Sequence, residues 1–562
     1  MRELPALPPL ARPMPTPSRH AVSAALLLLL GAPSARAQSV APQGSAAAPP
    51  PVSAADADPY LWLEEVLGDS ALAWVRARNA ESETALTKTA DFEALRARLL
   101  AVYDSDARIP YVEAIGARYY NHWQDAEHPK GLWRRTTPAS YATETPVWEI
   151  VLDVDALAAE EGVSYVFQGA DCLPGGETRC LLSLSPGGSD AAIVREFDLD
   201  TKAFVPSGFS LPEGKTNAAW IDRDHLFVGV QIDDGDLTSS GYPRLVRRWT
   251  RGTSLESAEE LFAGQAEDMM VGAWHDATPG YPRDLVYRAV TFYENEVFVL
   301  RGTALRPIPK PRDSNLSLFR DQALLELRSD LKAGGTTFAA GSLIATSFDA
   351  LVAGKPKYTA LFTPTATRSL AGVSSTRDHV LLSVLDNVSS RVEVLSRKGK
   401  GWKTGSIPGA PALGQVGIRP LDAHAGNEYW LTVTDYLTPS TLMRGELGKG
   451  ALTTLKQLPA FFDATDMTVA QHFATSKDGT RIPYFEVSRK AEATGPRPTL
   501  LYGYGGFEVS LLPRYSATRG ISWLEKGGVY VVANIRGGGE FGPRWHQAAL
   551  KANRHRAYED FA

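Results

Sequence analysis

The segment Leu501-Tyr502-Gly503-Tyr504-Gly505-Gly506-Phe507 closes an apolar run at 498–502 with three glycines set among aromatic rings. Glycines let a chain turn sharply at the end of a buried strand and bring hydrogen-bond donors close to a reacting carbonyl. A tyrosine phenol suits that work, because its pKa near 10 keeps it a protonated donor at neutral pH, ready for a developing oxyanion. A tight turn that buries two aromatics explains the same residues without chemistry. A second glycine-rich segment, Ala533-Asn534-Ile535-Arg536-Gly537-Gly538-Gly539-Glu540-Phe541-Gly542, follows the apolar run at 529–535. Its Gly537-x-Gly539-x-x-Gly542 spacing matches a dinucleotide fingerprint, and Asp560 lies near the expected acidic position. That acid should end a second strand, whereas residues 545–561 read mostly as helix, so no nucleotide site is expected. The glycines then shape a strand-to-helix turn, with Pro543 suited to the helix start.

Other constellations are weaker. The ten histidines show no H-E-x-x-H, so His122 with His128, and His546 with His555, read as surface or packing residues rather than metal ligands. The acidic pairs Glu64-Glu65, Glu160-Glu161 and Asp233-Asp234 read as solvated faces or turns. No metal and no cofactor is expected. No G-x-S-x-G elbow occurs in the 562 residues. The two cysteines, Cys172 and Cys180, flank Gly175-Gly176; in an oxidising compartment they can close a small disulfide loop, the alternative being two unpaired thiols.

The elements that must position the glycine turns follow from periodicity. Over 461–562 a hairpin (468–475 and 481–488, turning at Lys477-Asp478-Gly479-Thr480) precedes strands at 498–502 and 529–535 and helices at 515–526 and 543–555. This predicts an α/β domain with a mixed, mostly parallel sheet, incomplete at Ala562. Between 111 and 460 the apolar period is two, in short runs such as 118–123, 192–198, 225–232, 285–293 and 379–385, separated by Gly, Pro, Asp and Asn. An internal echo relates Arg223-Asp224-His225-Leu226 to Arg377-Asp378-His379-Val380 at an offset of 377 − 223 = 154 residues. That is about three units of roughly 50 residues, so the region holds about seven, and a closed ring of sheets removes exposed edges.

Upstream, apolar residues at 70–88 and 91–103 recur at three and four, predicting two helices with Asp69 or Ser70 capping the first and Asp91 the second. Residues 38–57 are Ala-, Pro-, Ser- and Gly-rich and read as a disordered linker. Arg12, Arg19 and His20 precede an apolar run at 21–32 that reaches Ala35-Arg36-Ala37, the pattern of a signal peptide spanning 1–37. The run is shorter than the roughly 20 residues of a spanning helix, so a secreted or periplasmic protein with no membrane segment after cleavage is expected. Lys+Arg 58 against Asp+Glu 64, a net charge of -6, leaves no basic footprint for nucleic acid.

Asp58-Pro59-Tyr60 with Trp62-Leu63-Glu64, then Tyr502 to Phe507, then Ala533 to Gly542, together resemble the prolyl oligopeptidase family and occur in that family's order. The resemblance spans 58–562 and implies a seven-bladed β-propeller at 111–460 plus a partial α/β-hydrolase domain at 461–562. It also implies an N-terminal helical segment at 58–110 packing on the hydrolase domain. Tyr504 matches the family's oxyanion-hole tyrosine, and Phe507 an aromatic of the pocket for the residue before the cut, where a flat apolar wall suits a proline ring. The implied substrates are short proline-containing peptides, cut after proline by a monomer. In the family the Gly-Gly-Ser-Asn-Gly-Gly elbow follows the helix at which this sequence stops. All three triad members are therefore expected beyond Ala562, and the chain as given is expected to be inactive. Two rivals stand beside this reading: a propeller used as a binding module or a degenerate protein, and an oligopeptidase cutting after basic residues. Members of the latter group usually place Ser-Tyr where this chain has Gly506-Phe507.

Overall fold

The computed structural model describes residues 58–562 except 177, 400, 408, 410–412, 451 and 491–494. The expected signal peptide (1–37) and linker (38–57) lie outside the described residues. Residues 58–105 form one compact unit and residues 106–562 belong to another. In the first, a 3-10 turn at Leu61–Glu64 leads to α1 (Asp69–Thr87) and α2 (Ala90–Tyr103). The expected caps are corrected: Gly68 precedes α1 with no side-chain cap, and Thr89, not Asp91, accepts the Phe92 amide at the start of α2. Threonine at that position satisfies an amide the helix itself leaves unpaired, whereas Asp91 already lies inside the first turn.

The second unit opens with seven antiparallel sheets whose main paths each hold four strands: residues 113–153, 165–214, 217–263, 270–307, 315–362, 368–406 and 415–457. We number them blades 1 to 7. Inner strands run apolar where both of their faces are covered; His379–Asp386, for example, buries Val380, Leu381 and Leu382 completely. Adjacent blades share cores in sequence. Phe227, Val246, Val271 and Val286 join blades 3 and 4, and Leu285, Val299, Leu325 and Ile344 join blades 4 and 5. The ring closes without a shared strand: Tyr119 and Tyr141 of blade 1 pack with Trp430 and Leu442 of blade 7. Burying each such Leu or aromatic contributes about 1.5–3 kcal/mol. The internal echo falls at the first hairpin turn of blades 3 and 6, between Asn217–Asp222 and His225–Gly229 and between Arg368–Ser375 and His379–Asp386. In blade 2, Cys172 faces Cys180 across the first strand pair, and the two buried sulfurs are bonded.

The hydrolase segment carries β1 (Met467–Thr475), β2 (Arg481–Arg489), β3 (Thr499–Gly503) and β4 (Val529–Ala533), in spatial order β1-β2-β4-β3. The sheet is mixed, as its sequence suggests, but not mostly parallel among these strands. Only β3 and β4 run parallel, while β1–β2 and β2–β4 are antiparallel, because the hairpin supplies half of the described sheet. The helix expected at 543–555 is also broken. It forms α3 (Pro543–Gln547), a single 3-10 turn, and α4 (His555–Phe561), with Lys551 at φ 51 interrupting the helical backbone. The interruption lets Ala549 and Ala557 both meet Ile482, Ala533 and Ile535. Among the described residues no helix is long and apolar enough to cross a membrane.

Candidate active site

Tyr504 is the first residue beyond β3, and the backbone that follows it at Gly505 admits only glycine. Gly505 has φ +61, and a Cβ there would lie 2.6 Å from Ile535 Cγ1 and 2.8 Å from the Arg536 carbonyl oxygen. Gly537 has φ +96, and a Cβ would lie 2.1 Å from the Gly505 carbonyl oxygen. The two glycine turns recognised in the sequence are thus pressed backbone to backbone. The Tyr504 ring folds over Gly506, where a Cβ would meet ring carbons at 3.5 Å and the phenol oxygen at 3.8 Å.

Loop 504–511 is tied down at both ends. Arg554 donates to the Gly505 carbonyl, and the Glu508 amide donates to the Gly537 carbonyl at 3.2 Å. At the far end the Leu511 amide donates to Glu540 Oε1 (2.9 Å) and Asn534 Nδ2 donates to the Leu511 carbonyl (2.8 Å). Glu540 is buried, which pushes its pKa up to about 7, with the Leu511 amide opposing the rise. Its backbone carbonyl accepts from Ser369 Oγ of blade 6 at 2.8 Å, so propeller and loop meet at one residue. Below the turn, Arg536 binds both Asp560 oxygens, Ser476 and Asp478, with Arg536 and Asp560 themselves buried. Asp560, the acid of the dinucleotide pattern, sits on α4 and is occupied by this ion pair.

Phe507 is 55 % exposed and its ring meets Phe292 of blade 4 edge-on, with centroids 5.8 Å apart. Phe292 and Tyr293 lie in the turn between Arg283–Ala289 and Asn295–Arg301. Burial raises the Tyr293 phenol pKa; Arg328 opposes the rise, and the nearby Glu508 and Tyr504 add to it. Tyr504 therefore lies within electrostatic reach of the propeller. Arg328 of blade 5 pairs with the Glu508 carboxylate, donates to His546 Nδ1 at 3.1 Å, and lies 4.0 Å from the Tyr293 ring centroid. His546 is buried, which together with Arg328 lowers its pKa to about 4. The ring is neutral near pH 7, with Nδ1 accepting from Arg328 and Nε2–H facing the Tyr293 oxygen at 3.2 Å. Glu508 is raised by burial and held back by Arg328, and neighbouring Glu326 is pushed to about 7 by burial and by Glu508.

The sequence-selected Tyr504 and Phe507 stand on one loop at the propeller boundary, while Cys172 and Cys180 lie in blade 2. Sequence reasoning passed over Arg328, Glu508, Tyr293 and Phe292; the one local signal was a carboxylate directly after Phe507. Among the described residues no three His, Cys, Asp or Glu side chains converge as metal ligands would. A cavity of about 290 Å³ lined by Pro212, Lys215, Gln231, Asp233 and Asp234 lies in blades 2 and 3 and includes none of loop 504–511.

A ring of seven blades joined to a mixed sheet, with a phenol-bearing glycine turn at the junction, defines a propeller-capped α/β hydrolase. Residues 42–458 match the family described as prolyl oligopeptidase, N-terminal beta-propeller domain, and residues 514–562 match the prolyl oligopeptidase family. The chain belongs to the prolyl oligopeptidase family, a family of serine peptidases. It is 40% identical over 516 residues to an uncharacterized peptidase of Sinorhizobium fredii, covering 90% of this chain and 71% of that protein. A prolyl endopeptidase of Elizabethkingia meningoseptica is 24% identical over 514 residues, covering 90% of this chain and 69% of that protein. Among solved structures, a post-proline cleaving enzyme from Rickettsia typhi superposes with a TM-score of 0.81 at 32% identity, covering 89% of this chain and 75% of that one.

Proposed function

We propose that this chain supplies the propeller, the oxyanion donor and part of the substrate pocket of a serine peptidase that hydrolyses short peptides on the carboxyl side of proline. The observation that carries the reading is the placement of Tyr504 and Phe507 on one loop, clamped between the 533–542 turn and blades 4 and 5. In the reaction the phenol of Tyr504 donates to the carbonyl oxygen as it gains charge, and the half-exposed Phe507 ring offers a flat wall to a proline ring. With no Gly-x-Ser-x-Gly elbow in the 562 residues, these residues alone are proposed to form no acyl-enzyme. The ring of blades is proposed to admit short peptides and exclude folded proteins, the protein acting as a monomer. Export is proposed from the 1–37 pattern, and the Cys172–Cys180 bond fits an oxidising compartment.

The test is the protein expressed from the full reading frame that carries this chain, assayed on matched prolyl and arginyl reporter peptides. Cleavage after proline is expected to dominate. Preference for arginine overturns the proline assignment, and cleavage of neither leaves the propeller as a binding module.

A further inference from the structure

Two consecutive non-glycine residues at the site, Phe507 (φ 52) and Glu508 (φ 59), occupy the left-handed region. Side chains with a Cβ pay sterically for that conformation, and such residues persist only where surrounding contacts over-determine them. Inside the hydrolase segment the step is closed as a tight turn, the Val509 amide donating to the Gly506 carbonyl at 3.0 Å, and the Glu508 amide donates to the Gly537 carbonyl at 3.2 Å. The side chains of both residues are held from the other domain, Phe507 by Phe292 and Glu508 by Arg328. Arg328 is itself fixed by neutral His546, by the Tyr293 ring, and by Gln547, whose Nε2 donates to the Arg328 carbonyl at 3.1 Å.

We propose that Arg328 is a positioning residue for the reaction: by pairing with Glu508 across the domain boundary it fixes the left-handed Phe507–Glu508 step, so that the Phe507 wall and the Tyr504 phenol are in register only while the propeller is docked. The inference rests on the function proposed above. Arg328 need not touch substrate; it acts through the loop. Charge alone is insufficient, because one guanidinium serves a carboxylate and an imidazole nitrogen at once, a geometry that the single ammonium of lysine does not reproduce.

Two readouts test it. In the 562-residue chain, Arg328→Met is expected to speed amide hydrogen exchange across 505–511 while leaving protection in blades 1 to 3 unchanged. In the protein from the full reading frame, Arg328→Met and Glu508→Met are each expected to lower kcat on a prolyl reporter by about 100-fold, with a smaller change in KM. The double variant is expected to be no worse than either single one, and Arg328→Lys to recover only part of the loss. Unchanged exchange at 505–511, or additive losses in the double variant, would overturn the proposal. So would loosening spread evenly over the propeller, the mark of a purely structural role. Because exchange is read without catalysis, an unsubstituted protein that cleaves no prolyl peptide counts against the proposed function and not against this coupling.

Discussion

Each blade of the ring is made of strands drawn from one stretch of sequence, and its core continues into the blades before and after it. The hydrolase segment is assembled across the sequence instead. There β4 inserts between β2 and β3, and the loop that carries Tyr504 is held by a residue 180 positions away. A second knot at the same boundary joins residues 218 and 253 positions apart, Arg328 and Tyr293 to His546. Local change in a blade is therefore absorbed locally, whereas the geometry of the site depends on contacts that no short segment contains.

The sharpest way to break that contrast is Asp560→Ala, which strips buried Arg536 of its two-oxygen partner beneath the glycine turn. A loss of about 3–5 kcal/mol is expected, read by denaturant unfolding, with proteolysis appearing first in 461–562. If the blades open at the same denaturant concentration, the two regions are one cooperative unit and the contrast fails. Replacing Cys172 and Cys180 together by serine tests the other side. Releasing a loop of sequence separation 8 is expected to cost about 2–3 kcal/mol and to raise exchange in blade 2 alone.

The smallest effect is a pH slope. Burial lifts the Glu540 carboxyl from 4.5 to about 7, so the folded state holds that proton more tightly than the unfolded chain. Its stabilising contribution is complete below about pH 4.5 and is lost as pH rises through 7, a fall on the order of 1–3 kcal/mol. Glu326, also near 7, shares the window, so Glu540→Gln is expected to flatten the fall without abolishing it, measured as melting temperature against pH.

The same contrast decides what was legible in the sequence. Short strand-forming runs such as 118–123 and 192–198 mark blades because the residues that cover them are near neighbours in sequence, and the Arg223–Arg377 echo reports the same turn three blades apart. Tyr504 and Phe507 were legible because the glycines around them are demanded by backbone contact, as Gly505 against Arg536 shows. The Thr89 cap was missed in favour of a carboxylate two residues later, and the helix break at Lys551 has no proline or glycine to announce it. Arg328 was not legible at all, since nothing near blade 5 marks a partner in the hydrolase segment. The antiparallel share of the described sheet followed from the hairpin that the sequence itself displays.

The most direct measurement is kcat for Tyr504→Phe in the protein from the full reading frame, on a prolyl reporter. The substitution deletes one hydroxyl and keeps the ring that lies over Gly506. Loss of a donor made only to the transition state predicts a fall of about 100- to 1,000-fold in kcat at nearly constant KM and unchanged melting temperature. An unchanged kcat would contradict the placement of that phenol at the developing oxyanion.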